Sequence, residues 1–155
     1  MLVMIITLCQ HGSQTPFAVH WPVAPETFSR LAKGDAEALK DEAGIVALLQ
    51  ALSESPDLGD FGNYRHVFES GLGFEGFTCT EAANPTLGEV GQETISPTFV
   101  FTTYFDAALD DAAVEHFLQH IVDIHPWEVP VIELTGPISV SNPPRPAVFE
   151  SQAAS

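Results

Sequence analysis

The sequence predicts an α+β fold whose strands and two helices follow the order β-α-β-β-α-β. Helical spacing of apolar residues occurs twice, after residue 35 and after residue 110. The segments around these helices are rich in β-branched and aromatic residues. The length of 155 residues fits one domain, and 45% hydrophobic residues suffice for a buried core. In this split βαβ arrangement both helices pack on one face of the sheet.

The first half of the chain predicts a strand, a long loop and a helix. Residues 2–8 form an apolar run typical of a buried strand. Proline and glycine interrupt residues 10–40, where we expect a long loop or an insertion. The helix that begins near Asp35 has one apolar face and ends before Pro56; that face comprises Ile45, Leu48, Leu49 and Leu52.

The second half predicts three strands and a helix. Residues 64–69 and 74–80 are candidate strands on either side of a turn at Gly71 and Gly73, and residues 98–105 form the strongest strand pattern. Asp110 or Asp111 can cap the second helix, which Pro126 ends. Its apolar stripe comprises Val114, Phe117, Leu118, Ile121 and Val122.

A last strand over residues 129–134 completes a single domain spanning residues 1–135. Pro130 places this strand near an edge or a bulge. Residues 136–155 are rich in proline and predict a poorly ordered tail. Some strands, such as residues 98–105, carry apolar residues on both faces, so a second layer or a partner subunit is expected to cover the sheet.

The charge excludes some classes of partner. The formal charge is −16, with 21 Asp and Glu against 5 Lys and Arg. Nucleic acid and anionic membranes are therefore disfavoured, because phosphate backbones need Lys and Arg to neutralise them. Cys9 and Cys79 show neither a zinc-type nor a disulfide-rich spacing. With no convincing signal peptide and no run of about 20 apolar residues, we expect a cytoplasmic protein.

Several short motifs resemble one family. The segment His125-Pro126-Trp127-Glu128 follows a helix and opens a strand, which resembles the His-Pro-aromatic-Glu signature of CutA-type proteins and of the insert domain of YqfO-type (Nif-three-like) proteins. Residues 62–66, 73–77 and 81–91 are similar to the YqfO insert domain and its stand-alone relatives. The chain departs from the pattern at Glu75, where the family has the second glycine of a Gly-x-Gly turn.

The resemblance implies a ferredoxin-like, CutA/PII-like sandwich that self-associates, with a trimer favoured. It covers roughly residues 41–135. The dinuclear metal site of full-length YqfO-type proteins belongs to a flanking domain, so a metal-dependent hydrolase is only a second alternative here.

The candidate metal ligands are His66, His125 and Glu128. Imidazole and carboxylate groups suit zinc or another transition metal. The competing interpretation is a structural corner, in which His125 bonds the last helix carbonyls and Glu128 binds backbone amides. His116 and His120 are spaced four residues apart, but they more often represent surface histidines on an amphipathic helix.

A ligand-binding cleft is the leading hypothesis. Its candidate residues are Tyr64, Arg65, Glu75, Asn84, Glu89 and Trp127. Acidic side chains in the glycine-rich segment disfavour a phosphate or nucleotide ligand, and no residue pattern marks an activated nucleophile. We therefore expect a small oligomeric ligand-binding or regulatory module without catalysis of its own. A divalent-metal-binding protein of CutA-like type is the alternative.

Overall fold

The computed structural model describes residues 10–142 of the chain, which form a mixed α+β structure. Three helices follow the first strand, and one helix follows the third strand. The elements are β1 Gln10–Pro22, α1 Pro25–Ala32, α2 Ala38–Asp41, α3 Ala43–Glu54, β2 Glu69–Thr78, β3 Glu93–Asp106, α4 Asp111–Ile124, β4 Ile132–Leu134 and β5 Ile138–Asn142.

The described strands form one antiparallel sheet in the order β2-β3-β1-β4. The central pair is β1 and β3, in which Val19 lies opposite Phe101. On its other side β1 pairs with β4 near Val19 and with β5 near its beginning. β2 pairs with β3 along all ten of its residues.

One face of the sheet forms the hydrophobic core with α3 and α4. Side chains alternate between the two faces of a strand, and the alternate positions of β1 and β3 on this face are almost fully buried. The strand residues are Phe17, Val19, Trp21, Phe99 and Phe101, and the helix residues packed with them include Ile45, Leu48, Leu52, Phe117 and Ile121. The rings of Phe17 and Phe105 both lie within 5.6 Å of the Phe117 ring, measured between centroids.

The second predicted helix is confirmed, and the first is confirmed only from Ala43 onward, because the extended backbone of Glu42 separates α3 from the short α2. The carboxylate of Asp110 accepts a hydrogen bond from the Ala113 amide at 2.9 Å, which is the predicted N-cap of α4. Phe117 and Ile121 of the predicted stripe are buried, and α4 ends at Ile124. α3 ends at Glu54, before Pro56, as expected.

The predicted long loop over residues 10–40 is wrong, because this segment contains β1, α1 and α2. The alternation of Phe17, Val19 and Trp21 has the period of a strand with one buried face. Pro16 and Pro22 in the same segment led to the prediction of a loop instead. Pro25 stands at the first position of α1, where proline needs no amide hydrogen. The strand predicted over residues 2–8 lies outside the described residues.

The strand predicted over residues 64–69 and the turn after it are also wrong. β2 begins only at Glu69 and runs through Gly71 and Gly73. Before it the chain forms a loop in which His66 adopts a positive φ of 55°, a conformation incompatible with an extended strand. The strand predicted over residues 98–105 is confirmed within β3.

The end of the described chain also differs from the prediction. The strand predicted over residues 129–134 shortens to β4, and the segment predicted as a poorly ordered tail contains β5. The remaining tail residues, 143–155, lie outside the described residues. Within residues 10–142, none of the helices has the length and apolar character needed to cross a membrane.

Candidate functional site

A cavity of about 350 Å³ opens at the end of β2. Three segments surround it: the last residues of β2, the loop over residues 79–87 and the connection between α4 and β4. Its lining combines apolar side chains with threonine hydroxyls and two carboxylates. The lining residues are Glu75, Gly76, Phe77, Thr78, Cys79, Thr80, Ala83, Pro85, Thr86, Leu87, Trp127, Glu128, Val129 and Val131.

Two hydrogen bonds join the loop to the connection after α4. Glu128 Oε2 accepts a bond from the Asn84 amide at 2.9 Å, and Thr86 Oγ1 donates to the Pro126 carbonyl at 2.7 Å. The rings of Phe77 and Trp127 meet edge to face across the same junction, 5.2 Å apart. These contacts hold together parts of the chain that are far apart in sequence.

The loop closes tightly against β2 and β3. The Cys79 carbonyl accepts a bond from the Gly91 amide at 2.9 Å. Gly88 has a φ of +94°, and a Cβ atom there would lie 2.7 Å from Thr94 Oγ1. Only glycine fits this backbone conformation and this close approach.

Glu75 supplies a half-buried carboxylate to the cavity. Its Oε2 accepts a hydrogen bond from Thr98 Oγ1 at 3.2 Å, and Thr98 itself is buried. Burial raises the pKa of the Glu75 carboxyl, while the bond from Thr98 and the nearby His20 oppose the rise. The fold thus holds a carboxylate where water solvates it incompletely.

His125 is a buried structural histidine. One ring nitrogen, Nε2, lies 2.9 Å from the His20 carbonyl on β1, and Nδ1 accepts the Trp127 amide at 3.0 Å. This arrangement fixes the neutral tautomer with the proton on Nε2. Burial lowers the pKa of His125 below its ordinary value. The ring of His125 bonds β1 and not the last helix carbonyls that the corner interpretation predicted, although its backbone amide donates to the Val122 carbonyl.

The three predicted metal ligands do not converge. His125 has both nitrogens engaged, Glu128 binds the Asn84 amide, and His66 is exposed on the loop before β2. Among the residues that the structure describes, no group of three or more His, Cys, Asp or Glu side chains could hold a metal ion.

The predicted cleft residues divide between the two ends of the sheet. Glu75 and Trp127 line the cavity, and Asn84 borders it through its backbone amide. Tyr64 and Arg65 are exposed on the loop that packs beside Tyr104, at the far end of β3. Glu75 lies opposite Ser96, and Tyr104 is eight residues further along β3, which is about 27 Å at roughly 3.4 Å per residue. Tyr64 and Arg65 therefore belong to a different surface.

Three other candidate residues also lie outside the cavity lining. Glu89 is exposed and bonds Gln92 within the loop. His116 and His120 line a separate groove between the end of α3 and α4.

Sequence reasoning missed most of the apolar lining. Phe77, Val129 and Val131 lie in segments predicted as strands, but a strand pattern does not show that the ends of two strands meet at a cavity, and Leu87 lies in a predicted turn region. The sequence signal for this cavity was that the motifs around residues 84 and 128 both belong to the same family resemblance.

The fold and the cavity define a small α+β protein with a cleft of ligand size. No family model matches the sequence, and no curated protein matches it. Among solved structures the chain is similar to a Bacillus cereus protein related to NIF3, with a TM-score of 0.54 and 18% sequence identity. The similarity covers 83% of this chain but only 26% of the other one. This chain thus spans about a quarter of that protein's length, and the likeness concerns the fold.

Proposed function

We propose that this protein is a ligand-binding module whose small-molecule site is the cavity at the end of β2. The observation that carries the proposal is the cavity itself, because pockets that bind small molecules are typically about 300–1,000 Å³ and mostly apolar with a few polar groups. Its volume of about 350 Å³ lies in this range. The bonds from Asn84 and Thr86 support a site that is formed before the ligand arrives.

A fragment screen by nuclear magnetic resonance tests this function. Fragments that bind are expected to shift the amide signals of residues 75–80 and 127–131. Ala83→Phe places a ring in the cavity and should abolish these shifts. Ala82→Phe is the matched control, since Ala82 is exposed, adjacent and absent from the lining. A screen without binders, or binders that Ala83→Phe leaves unaffected, would contradict the proposed function.

The strand arrangement supports the finer assignment to a ferredoxin-like, CutA/PII-like fold. The order of the two crossovers and the antiparallel neighbours of β1 and β3 are those expected of a split βαβ unit. The fold similarity to the NIF3-related protein agrees with this assignment.

Self-association through the edge of β2 is a second part of the proposal, with the trimer as the expected assembly. Among the described strands, β2 has β3 as its neighbour and leaves its other edge open. Exposed apolar side chains accompany this edge: Phe74 is 66% exposed and Ile95 on β3 is 59% exposed. A long unpaired edge with apolar side chains is a template for pairing with another chain.

Light scattering with a charged variant tests the assembly. The unmodified protein is expected to have the mass of an oligomer, and Phe74→Lys is expected to shift it toward the monomer. Val46→Lys, an exposed apolar position on α3, should leave the mass unchanged. A monomer at every protein concentration would refute the assembly and leave the cavity hypothesis standing.

A further inference from the structure

The charged side chains that line the cavity are of one sign; His20, which is near Glu75, is outside the lining, and its ring bonds Glu133. Glu75 and Glu128 contribute carboxylates, and the described lining residues include no Lys, Arg or His. Opposite charges attract and like charges repel, most strongly where water is partly excluded. An anionic ligand would therefore be repelled from this site.

The cations of the described chain lie elsewhere. Arg30 binds Asp35 and Asp41, and Lys40 binds Glu37, all within the region of α1 and α2. Lys33 follows α1, and Arg65 is on the loop at the opposite end of β3 from the cavity. None of these four side chains lines the cavity, so they do not neutralise its carboxylates.

The remainder of the lining suits an apolar molecular body and not a bare ion. Phe77 and Trp127 contribute aromatic rings, and Leu87, Val129 and Val131 contribute aliphatic surface. Aromatic rings attract organic cations through their faces, and aliphatic walls favour hydrocarbon. A metal ion would instead need several polar ligands in one place.

We propose, on the basis of the function proposed above, that the ligand is a small organic ammonium compound with an apolar or aromatic body. Its ammonium group donates hydrogen bonds to the Glu75 carboxylate, and the free oxygen of Glu128 adds a second negative charge. Its body packs against Phe77 and Trp127. The buried Thr98 hydroxyl lies beside this carboxylate, 3.2 Å from Glu75 Oε2 and 3.2 Å from the Ser96 carbonyl, which is the other acceptor for its one hydrogen.

Calorimetric titration with three probes of similar shape tests the ligand class. The probes are 2-phenylethylammonium, neutral 2-phenylethanol and the anion 3-phenylpropionate, each titrated into the full chain. The cation is expected to bind at least about tenfold more tightly than the neutral probe, as a hydrogen bond to a charged group predicts. The anion is expected to bind most weakly.

Two variants test whether the charge of Glu75 is the one that binds the cation. Glu75→Gln keeps the size of the side chain and is expected to weaken the cation about tenfold while leaving the neutral probe unchanged. Glu115→Gln changes the net charge equally on an exposed part of α4 and should have no effect. Circular dichroism of both variants checks that they are folded.

The outcomes separate this inference from the proposed function. If the neutral or anionic probe binds as tightly as the cation, or if both variants weaken the cation equally, the ligand class is wrong while the cavity remains a binding site. If none of the three probes binds at millimolar concentration, the ligand class is overturned. In that case the fragment screen with Ala83→Phe is the remaining test of the proposed function.

Discussion

The two faces of the sheet differ in what their side chains achieve. On the face toward α3 and α4, Phe17, Val19, Phe99 and Phe101 are almost completely buried in an apolar cluster. On the opposite face, near the end of β2, Glu75 is a half-buried carboxylate beside a cavity. The first face stabilises the fold through packing, whereas the second keeps an incompletely solvated charge and open space.

This difference indicates that the helix-facing side of the strands provides the packing, while the ligand site proposed above lies on the opposite side. Filling a cavity and removing a partly buried charge would ordinarily stabilise a protein. A protein retains such features at functional sites, where they serve recognition.

The same substitution on the two faces should have very different effects. Phe101→Ala is expected to lower the free energy of unfolding by about 3–5 kcal/mol, because it removes a buried ring and leaves a void. Phe77→Ala, at the half-buried cavity lining, should lower it by only about 1–2 kcal/mol, in proportion to the smaller area buried. Urea unfolding followed by circular dichroism measures both, and equal losses would break the comparison.

Gly44 tests how tightly the helix-facing side is packed. A Cβ atom at this position would lie 2.5 Å from Trp21 Nε1. Gly44→Ala should therefore destabilise the protein by roughly 1–2 kcal/mol, although alanine in a helix alone would stabilise it by about 1 kcal/mol. Trp21→Phe removes Nε1, so Gly44→Ala should be less harmful in that background. Simple additivity of the two substitutions would contradict this account.

His125 links the two faces and predicts a pH dependence. Because burial lowers its folded-state pKa below 6.5, the unfolded chain binds the proton more readily. Its contribution to stability is complete above pH 6.5 and is lost as the pH falls from there toward the folded-state pKa. Urea unfolding from pH 8 to pH 5 should show a smaller loss for His125→Gln than for the unmodified protein, and identical slopes would refute this role.

The parts of the fold with a regular pattern were predictable from the sequence. α4 was predictable because Asp110 supplies a cap and Phe117 and Ile121 lie at helical spacing. β1 was not, because prolines within it suggested a loop, while its pairing with β3 is a long-range contact.

The candidate site was only partly predictable for the same reason. The motifs contained Glu75, Trp127 and Glu128, which the fold brings together, but also Tyr64 and Arg65, which lie near the other end of the sheet. Tyr64 and Arg65 lie far from Glu75 because β2 begins only at Glu69. The sequence instead predicted a strand over residues 64–69. The sequence contains no local signal that fixes the register between β2 and β3.

Glu75→Gln provides the most direct test of the claim that this carboxylate serves ligand binding and not stability. Because burial raises the pKa of Glu75, its charged form disfavours the folded state at pH 7. Urea unfolding without ligand should show Glu75→Gln more stable than the unmodified protein by a few tenths of a kcal/mol, after allowance for solvent screening. With saturating 2-phenylethylammonium the order should reverse, since a ligand stabilises the form that binds it better. A variant that is less stable without ligand, and equally stabilised by it, would contradict the claim.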